Sequence, residues 1–388
     1  MKKMVWALSA LGALSGIAHA QSSVTLYGII DEGLIFNSNA NGSRQYYLAS
    51  GVLSGSRFGL RGAEDLGSGL RAIFTLENGF DVNSGKLGQG GLMFGRQAYV
   101  GLSSDRLGTL TLGRQFDSTV DYVGPFGFAG TNGGYITASP GDMDNFAIGN
   151  RVNSVIKYAS PNLGGLTFGG MYSLGGVAGD FSRNQVWGVG AGYTYGPFKL
   201  GASYMNIHNP NVSFYGTSVS GATAETNNMS SVATRGFASA QTQQVAAAGA
   251  SWTVGQITLS GTYSNVQFED LSGTVGVLNP GGVRGSVTFN NYAAALKYQW
   301  TPALFTAAQF ERTTGSSING KSGAAYNQLD LSADYFLSVR TDVYFTAVYQ
   351  RASGTQSTGA PAVAAINVIT PSSTNHQAAV RIAIRHKF

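Results

Sequence analysis

Hydrophobic and polar side chains alternate one by one along many short segments of this chain. Near the end, apolar side chains occupy every second position from Ala378 to Ile384, whereas Arg381 and Arg385 fall on the opposite face. The same alternation covers residues 327–337, 292–300 and 198–204. A period of two is that of a β-strand, in which successive side chains point to opposite faces of the sheet. The pattern therefore predicts strands with one apolar face and one polar face.

The connections between these segments alternate in length. Short turns such as Tyr195-Gly196-Pro197 alternate with longer stretches rich in Gly, Ser and Asn, at 115–150, 209–242, 267–290 and 352–375. Counting the segments bounded in this way gives about sixteen strands. After the first twenty residues, no apolar stretch reaches the length of about 20 residues that a membrane-spanning helix needs. The chain is therefore predicted to be all-β, with about sixteen antiparallel strands.

The first twenty residues follow a different pattern. Lys2 and Lys3 precede an apolar run from Met4 to Ile17, and Ala18-His19-Ala20 ends it. A basic start, an apolar centre and small residues around a cleavage site are typical of a secretory signal peptide. We therefore predict a signal peptide over residues 1–20 and an exported mature chain over residues 21–388.

The composition indicates where such strands would lie. Only 11% of the 388 residues are charged, against roughly a quarter in soluble domains. Aromatic residues stand at the ends of the apolar rows, as Tyr193 and Tyr195 or Tyr298 and Trp300 do, which is typical of the girdles at bilayer interfaces. A sheet in lipid must close, because lipid cannot hydrogen-bond its edges. These features favour a transmembrane β-barrel, with a large soluble β-protein as the alternative. Sixteen strands would enclose an aqueous channel.

Five segments, taken in order, resemble the general trimeric porins of Gram-negative bacteria, of the Burkholderia, Bordetella and Neisseria type. They are residues 22–33, 56–80, 94–117, 151–173 and 381–388. The resemblance implies a homotrimer of sixteen-stranded antiparallel barrels in the cell outer membrane, in contact with its lipid and lipopolysaccharide. It further implies short periplasmic turns, long extracellular loops and an inward-folded third loop, here residues 115–150. The terminal Phe388 resembles the signal by which the barrel assembly machinery recognises this family.

The resemblance also implies a pore constriction, where arginines on the barrel wall face carboxylates on the third loop. The matching basic residues are Arg57, Arg96, Arg114 and Arg151, and the loop carboxylates are Asp142 and Asp144. Alternation places Arg57, Arg96 and Arg151 on the polar face independently of the resemblance, and it gives Arg61 and Glu77 the same parity. For Arg114, simple alternation predicts an outward side chain unless the strand ends or bulges near Gly113.

Basic residues outnumber acidic ones among the side chains that alternation places on the polar face. The basic set is Arg57, Arg61, Arg71, Lys157, Lys199, Lys297, Arg381 and Arg385, and the acidic set is Asp31, Glu77, Glu311, Asp330 and Asp334. A channel lined in this way is expected to pass small hydrophilic solutes and inorganic ions, with a weak preference for anions. The alternative is a substrate-specific channel on the same barrel, for which Tyr122, Phe126, Phe128 and Tyr135 would supply the aromatic contacts.

The sequence shows no pattern of catalytic, cofactor-binding or nucleic-acid-binding residues. There is no Cys, and His208, His376 and His386 stand singly. Asp142-Met143-Asp144 begins like a calcium loop, but Phe146 stands where a third oxygen ligand is needed. A loosely bound divalent ion at that loop stays an open alternative. We therefore expect no enzymatic activity, no cofactor and no nucleic-acid partner, and an outer-membrane enzyme or adhesin is the rival of a different class.

Overall fold

The computed structural model describes residues 23–217 and 226–388, so the signal peptide predicted for residues 1–20 lies outside the described residues. Within them, one antiparallel sheet contains seventeen strands. They are β1 (Ser23–Ala40), β2 (Ser43–Ser50), β3 (Arg57–Gly67), β4 (Leu70–Gly79), β5 (Gln97–Ser104), β6 (Gly108–Gln115), β7 (Val152–Ala159), β8 (Leu166–Ser173), β9 (Val186–Tyr195), β10 (Phe198–His208), β11 (Thr242–Val254), β12 (Ile257–Ser272), β13 (Arg284–Thr301), β14 (Leu304–Gly315), β15 (Ala325–Phe336), β16 (Thr341–Ser353) and β17 (His376–Lys387).

The helical segments are short and lie in the connections. Two are α-helical, α1 (Ser118–Tyr122) and α2 (Pro210–Ser213). The 3-10 turns are Gln89–Gly91, Gly124–Phe126, Tyr135–Thr137, Pro140–Asp142 and Arg235–Phe237, and a π-turn covers Ala129–Gly133. None of the helices in the described part of the chain has the length and hydropathy that crossing a membrane requires.

The first and last strands close the sheet into a barrel. One edge of β1 pairs with β17, from Ile29 opposite Lys387 to Asn37 opposite Ala379. The other edge pairs with β3 over its first half and with β2 over its second half. Because β2 and β3 share one position in the wall, the barrel has sixteen strand positions, which confirms the predicted sixteen-stranded antiparallel barrel. Phe388 completes the seam through two backbone hydrogen bonds with Gly28, at 3.0 and 3.1 Å.

The stretch 51–56 between β2 and β3 leaves the wall because a buried carboxylate holds it. Oδ2 of Asp31 accepts hydrogen bonds from the backbone N–H of Leu53 (2.9 Å) and of Ser54 (2.7 Å). Oδ1 of the same carboxylate accepts from the Tyr344 hydroxyl (2.6 Å) and from Nη2 of Arg381 (2.9 Å). Asp31 and Arg381 are both fully buried. This network joins the stretch 51–56 to β16 and β17.

The two faces of the wall differ as the alternation predicts. On β17, Arg381 is 0% exposed, whereas its neighbour Ile382 is 62% exposed in the single chain. Exposed aromatic side chains cluster at the short-turn end of the barrel: Tyr193, Tyr195, Phe198, Trp252, Trp300, Tyr335 and Phe388. A second group lies toward the long connections: Tyr46, Tyr263, Tyr292 and Tyr349. The outer surface is thus an apolar band between two aromatic rings, as a bilayer requires.

Candidate pore constriction

The long connection between β6 and β7 packs against a glycine-lined part of the wall. The ring of Tyr122, at the end of α1, lies over Gly190 of β9, where an added Cβ would come within 2.3 Å of it. The Tyr122 carbonyl and the Phe126 ring lie over Gly201 of β10, and Phe126 also covers Gly249 of β11. Side chains at these glycines would occupy the volume that the connection fills, so the glycines are what allows it to approach the wall.

Hydrogen bonds to polar side chains of the wall hold the second half of the connection. Gln243 Nε2 on β11 donates to the Met143 carbonyl (3.0 Å), and the Ser264 hydroxyl on β12 donates to Asp144 Oδ2 (2.7 Å). Asn291 Nδ2 on β13 donates to the same Asp144 oxygen at 3.2 Å. These donors are all buried polar residues of the strands. Asp144 therefore joins the connection to β12 and β13.

Asp117 and Asp142 organise the connection internally. Asp117 caps α1, because its Oδ1 accepts from the backbone N–H of Thr119 (2.8 Å) and of Val120 (3.0 Å). Asp142 accepts from the backbone N–H groups of Ala147 and Gly149, each at 2.9 Å. Burial raises the pKa of Asp117 to about 6. Burial, with the nearby Asp144 carboxylate, raises the pKa of Asp142 to about 8, so Asp142 is largely neutral at pH 7.

Glu77 on β4 forms ion pairs with two of the predicted arginines. Arg96, directly before β5, donates from Nε to Glu77 Oε1 at 2.7 Å, and Nε of Arg57 lies 3.5 Å from Oε2. The Tyr27 hydroxyl donates to the same Oε2 at 3.0 Å. Arg96 and Glu77 are both buried. The carboxylate at this place is therefore on the wall, beside the arginines and paired with them.

Arg151, directly before β7, has donors that the protein leaves unused. Its Nη1 donates to the Gly149 carbonyl at 2.9 Å, and its guanidinium carbon lies 5.2 Å from the centre of the Phe116 ring. Nε and Nη2 have no hydrogen-bond partner among the described residues, although Arg151 is only 2% exposed. Burial lowers the pKa of Arg151 to about 10, which still leaves it charged at neutral pH.

The remaining predicted residues are Arg114, which lies beside this group, Arg61, which lies apart from it, and the carboxylates Asp142 and Asp144 of the connection. Gly113 has a φ of 137°, and the β6–β7 register shifts between Gly113 and Gln115. This bulge turns Arg114, which donates to the Gly95 carbonyl (2.8 Å) and to Asn153 Oδ1 (2.5 Å). Arg61 is exposed and lies over the Tyr27 ring, 5.4 Å from its centre. It stands four residues after Arg57 on β3. Within the described residues, neither Asp142 nor Asp144 forms an ion pair with an arginine.

Two cavities meet at three residues of this region. One, of about 630 Å³, is lined by Asp81, Asp142 and Arg151, and the other, of about 230 Å³, is lined by Arg57, Glu77 and Phe116. Gly55, Arg96 and Tyr135 line both cavities. These three residues therefore lie between the two cavities, and we call this place the passage.

Tyr135 and the stretch 51–56 are parts of this site that the alternation does not predict. The Tyr135 N–H donates to the Val52 carbonyl at 2.8 Å, which joins the two sides of the passage. Burial raises the pKa of the Tyr135 hydroxyl, but the Arg151 and Arg96 guanidiniums outweigh it and lower the pKa overall. The signal for 51–56 was present as Leu53-Ser54-Gly55-Ser56, a strand-breaking composition between two alternating segments.

Three of the four aromatic residues considered for a specific solute are used in packing. Tyr122 and Phe126 lie against glycines of the wall. Phe128 is 2% exposed and packs with Phe305. In the described part of the chain, no group of three His, Cys, Asp or Glu side chains is placed to hold a metal ion. Of the four aromatic residues, Tyr135 is the one that lines both cavities.

Comparison with known proteins identifies the family. The sequence profile of Gram-negative porins matches residues 7–355. The chain belongs to the Gram-negative porin family. Over 118 residues, 27% of this chain, it is 47% identical to an outer membrane porin protein of Bordetella pertussis. Over 104 residues, 26% of this chain, it is 47% identical to outer membrane porin protein 32 of Delftia acidovorans. These matches span 31% and 29% of the two relatives.

The barrel as a whole is similar to a solved porin structure. The anion-selective porin from Comamonas acidovorans superposes with a TM-score of 0.70 at 23% sequence identity, covering 95% of this chain and 100% of that one. At this identity the similarity concerns the fold. Family membership, the named outer membrane porins among the relatives and the closed barrel together place this porin in the outer membrane of a Gram-negative bacterium.

Proposed function

We propose that this porin is a general diffusion channel for small hydrophilic solutes and inorganic ions, with a weak preference for anions. The observation that carries the proposal is Arg151, a buried guanidinium with unpartnered Nε and Nη2 at the passage marked by Gly55, Arg96 and Tyr135. The connection 115–150 narrows the channel there, which its contacts with β9 to β13 support.

The preference for anions follows from the charges near the passage. Four guanidiniums, those of Arg57, Arg96, Arg114 and Arg151, are opposed by the carboxylates of Glu77 and Asp81, while Asp142 is held largely neutral by its raised pKa. An excess of positive charge on a channel lining raises the local concentration of anions, and salt screens the effect over about 8 Å at physiological ionic strength. Because Arg151 is only 2% exposed, it acts on a passing anion through its charge.

The wider setting is proposed on the same basis. The mature chain is exported after removal of residues 1–20 and assembles as a homotrimer. Its outer surface contacts outer-membrane lipid and lipopolysaccharide, and the barrel assembly machinery recognises the strand that ends in Phe388. A structural neighbour described as a trimer, OmpT of Vibrio cholerae, supports the oligomeric state.

The experiment is the reversal potential of the protein in a planar bilayer under a KCl gradient. We expect anion preference for the native protein and a smaller preference for Arg151→Gln, which removes a charge that forms no ion pair within the described residues. Arg340→Gln is the matched control, because Arg340 lies exposed in the turn between β15 and β16. Cation preference in the native protein would contradict the proposal, and conductance steps in threes would test the trimer.

Swelling of proteoliposomes separates the general channel from a substrate-specific one. Unrelated sugars should enter at rates ordered by their size alone. One sugar that enters much faster than others of the same size would favour the specific channel, for which Tyr135 is the aromatic residue left at the passage.

A further inference from the structure

The last long connection, residues 354–375 between β16 and β17, contains an apolar run that a surface loop would not need. From Ala362 to Ile369 only Asn367 is polar, and the whole connection carries no charged side chain. We call residues 362–369 the apolar run. Its buried members are Ala362, Ala364, Ala365, Ile366 and Ile369. Loops normally follow the surface with their backbone in water, so this composition indicates a segment that packs inside the molecule.

Amide side chains on the inner face of the barrel hold the apolar run. Gln350 Oε1 on β16 accepts a hydrogen bond from the Ala365 N–H at 2.6 Å, and Gln377 Oε1 on β17 accepts from the Ile366 N–H at 3.1 Å. Both glutamines are 0% exposed, whereas Tyr349, the residue before Gln350, is 49% exposed on the outer face. Because successive side chains of a strand point to opposite faces, the apolar run lies within the barrel.

The apolar run is joined to the connection 115–150 and to the stretch 51–56. One buried apolar cluster contains side chains from all three segments: Val52, Ile136, Ile366 and Ile369. Asn367 Nδ2 donates to the Tyr135 carbonyl at 3.1 Å, and the Tyr135 N–H donates to the Val52 carbonyl at 2.8 Å. The main chain of Tyr135 is therefore held from both sides, and one of the two holds comes from the apolar run.

Val368 is the exposed part of this otherwise packed segment. Its side chain is 58% exposed, and together with Asn367 it lines the cavity of about 630 Å³ that reaches Gly55, Arg96 and Tyr135. The φ of Val368 is 58°, a left-handed conformation that is rare for a β-branched residue. Strained positions of this kind are kept where the surroundings impose them, often at functional sites. The apolar run thus places Val368 in the space that leads to the passage.

We propose that the connection 354–375 is a second constricting segment of this channel, in which Asn367 positions the passage and Val368 contacts the solutes that approach it. Asn367 is a positioning residue, because it acts through the main chain of Tyr135. Val368 presents methyl groups, so it narrows the path without adding a charge or a hydrogen-bonding group that would favour one solute. The proposal rests on the diffusion channel proposed above but not on its preference for anions.

The test labels a single thiol in the native fold, which is possible because the chain has no Cys. Val368→Cys is treated in a planar bilayer with methanethiosulfonate reagents that carry either a sulfonate or a quaternary ammonium group. The thiolate forms a mixed disulfide with the reagent and releases methanesulfinate. Either product should lower the single-channel conductance, because it adds volume beside the passage. The sulfonate should shift the reversal potential toward cation preference and the ammonium toward anion preference.

Val277→Cys is the matched control for labelling. Val277 is 72% exposed in the connection between β12 and β13 and does not line this cavity. Mass spectrometry should show that its thiol is labelled, while conductance and reversal potential keep their native values. For the positioning role, Asn367→Leu removes the donor to Tyr135 and should change the conductance. Asn367→Gln, which keeps an amide donor, should restore it.

Three results would overturn the proposal. The first is a thiol in Val368→Cys that does not react, and the second is a labelled thiol that leaves conductance and reversal potential unchanged. The third is native conductance in Asn367→Leu. A native protein that conducts no ions would instead contradict the diffusion channel itself, so the two failures are distinguishable. Circular dichroism of each variant confirms that the barrel has folded.

Discussion

Gly201 of β10 offers the sharpest test of how the connection 115–150 is held. In Gly201→Ala, the new Cβ would lie 1.9 Å from the backbone carbonyl oxygen of Tyr122 and 2.7 Å from the Phe126 ring. Ordinary contact begins near 3.4 Å, so the carbonyl must retreat by about 1.5 Å, and it can move only away from the wall. Overpacking of this kind costs about 1–3 kcal/mol.

The expected result is a channel with a lower single-channel conductance and a lower temperature of thermal unfolding. The conductance falls because a connection displaced from the wall occupies more of the lumen. Gly261→Ala on β12 is the matched control, since its Cβ would meet no atom closer than the Ala293 carbonyl at 3.4 Å. If Gly201→Ala conducts and unfolds like Gly261→Ala, the connection does not lie against the glycines in the working channel.

Two further predictions concern buried charges. Arg381→Met leaves the Asp31 carboxylate buried without its cation, so the free energy of unfolding should fall by about 3–5 kcal/mol. Arg71→Met breaks an exposed ion pair and should lower the free energy of unfolding by at most about 1 kcal/mol. Equal urea midpoints for the two variants would contradict this. Folding raises the pKa of Asp142 from 3.8 to about 8, so its contribution to stability is complete below pH 3.8 and is lost as the pH rises toward 8. Its ionisation adds negative charge beside Arg151, so anion preference should decline between about pH 6 and pH 9 in the native channel, and a similar decline in Asp142→Asn would refute this assignment.

The sequence predicts the barrel wall well because the wall depends on local alternation. Strands such as β15 and β17 follow from a period of two, and Gly113 is a visible place for the bulge that turns Arg114. The composition of the stretch 51–56 predicts a break between strands, but its position could not be predicted. Asp31, which holds it outside the sheet, lies more than twenty residues earlier and is itself oriented by Tyr344 and Arg381 at the other end of the chain.

The candidate site was less predictable than the wall for the same reason. The loop position of Asp142 and Asp144 is evident in the sequence, but their partners are not. Asp144 meets Ser264, 120 residues away, and Asp142 meets backbone N–H groups of its own turn. Tyr135 reaches the passage only because its backbone pairs with Val52. Contacts that depend on how distant segments meet have no local signature.

The hydrogen bond between the Tyr135 N–H and the Val52 carbonyl has a consequence for how such a channel can diverge. It joins the two sides of the passage through main-chain atoms, and it depends on Gly134, whose φ of 75° and closeness to the Val52 carbonyl leave no room for a side chain. Replacing the side chains of Tyr135 or Val52 does not remove this bond. Substitutions at Tyr135 and Val52 can therefore change the side chains that line this region while the contact between the connection and the stretch 51–56 stays in place.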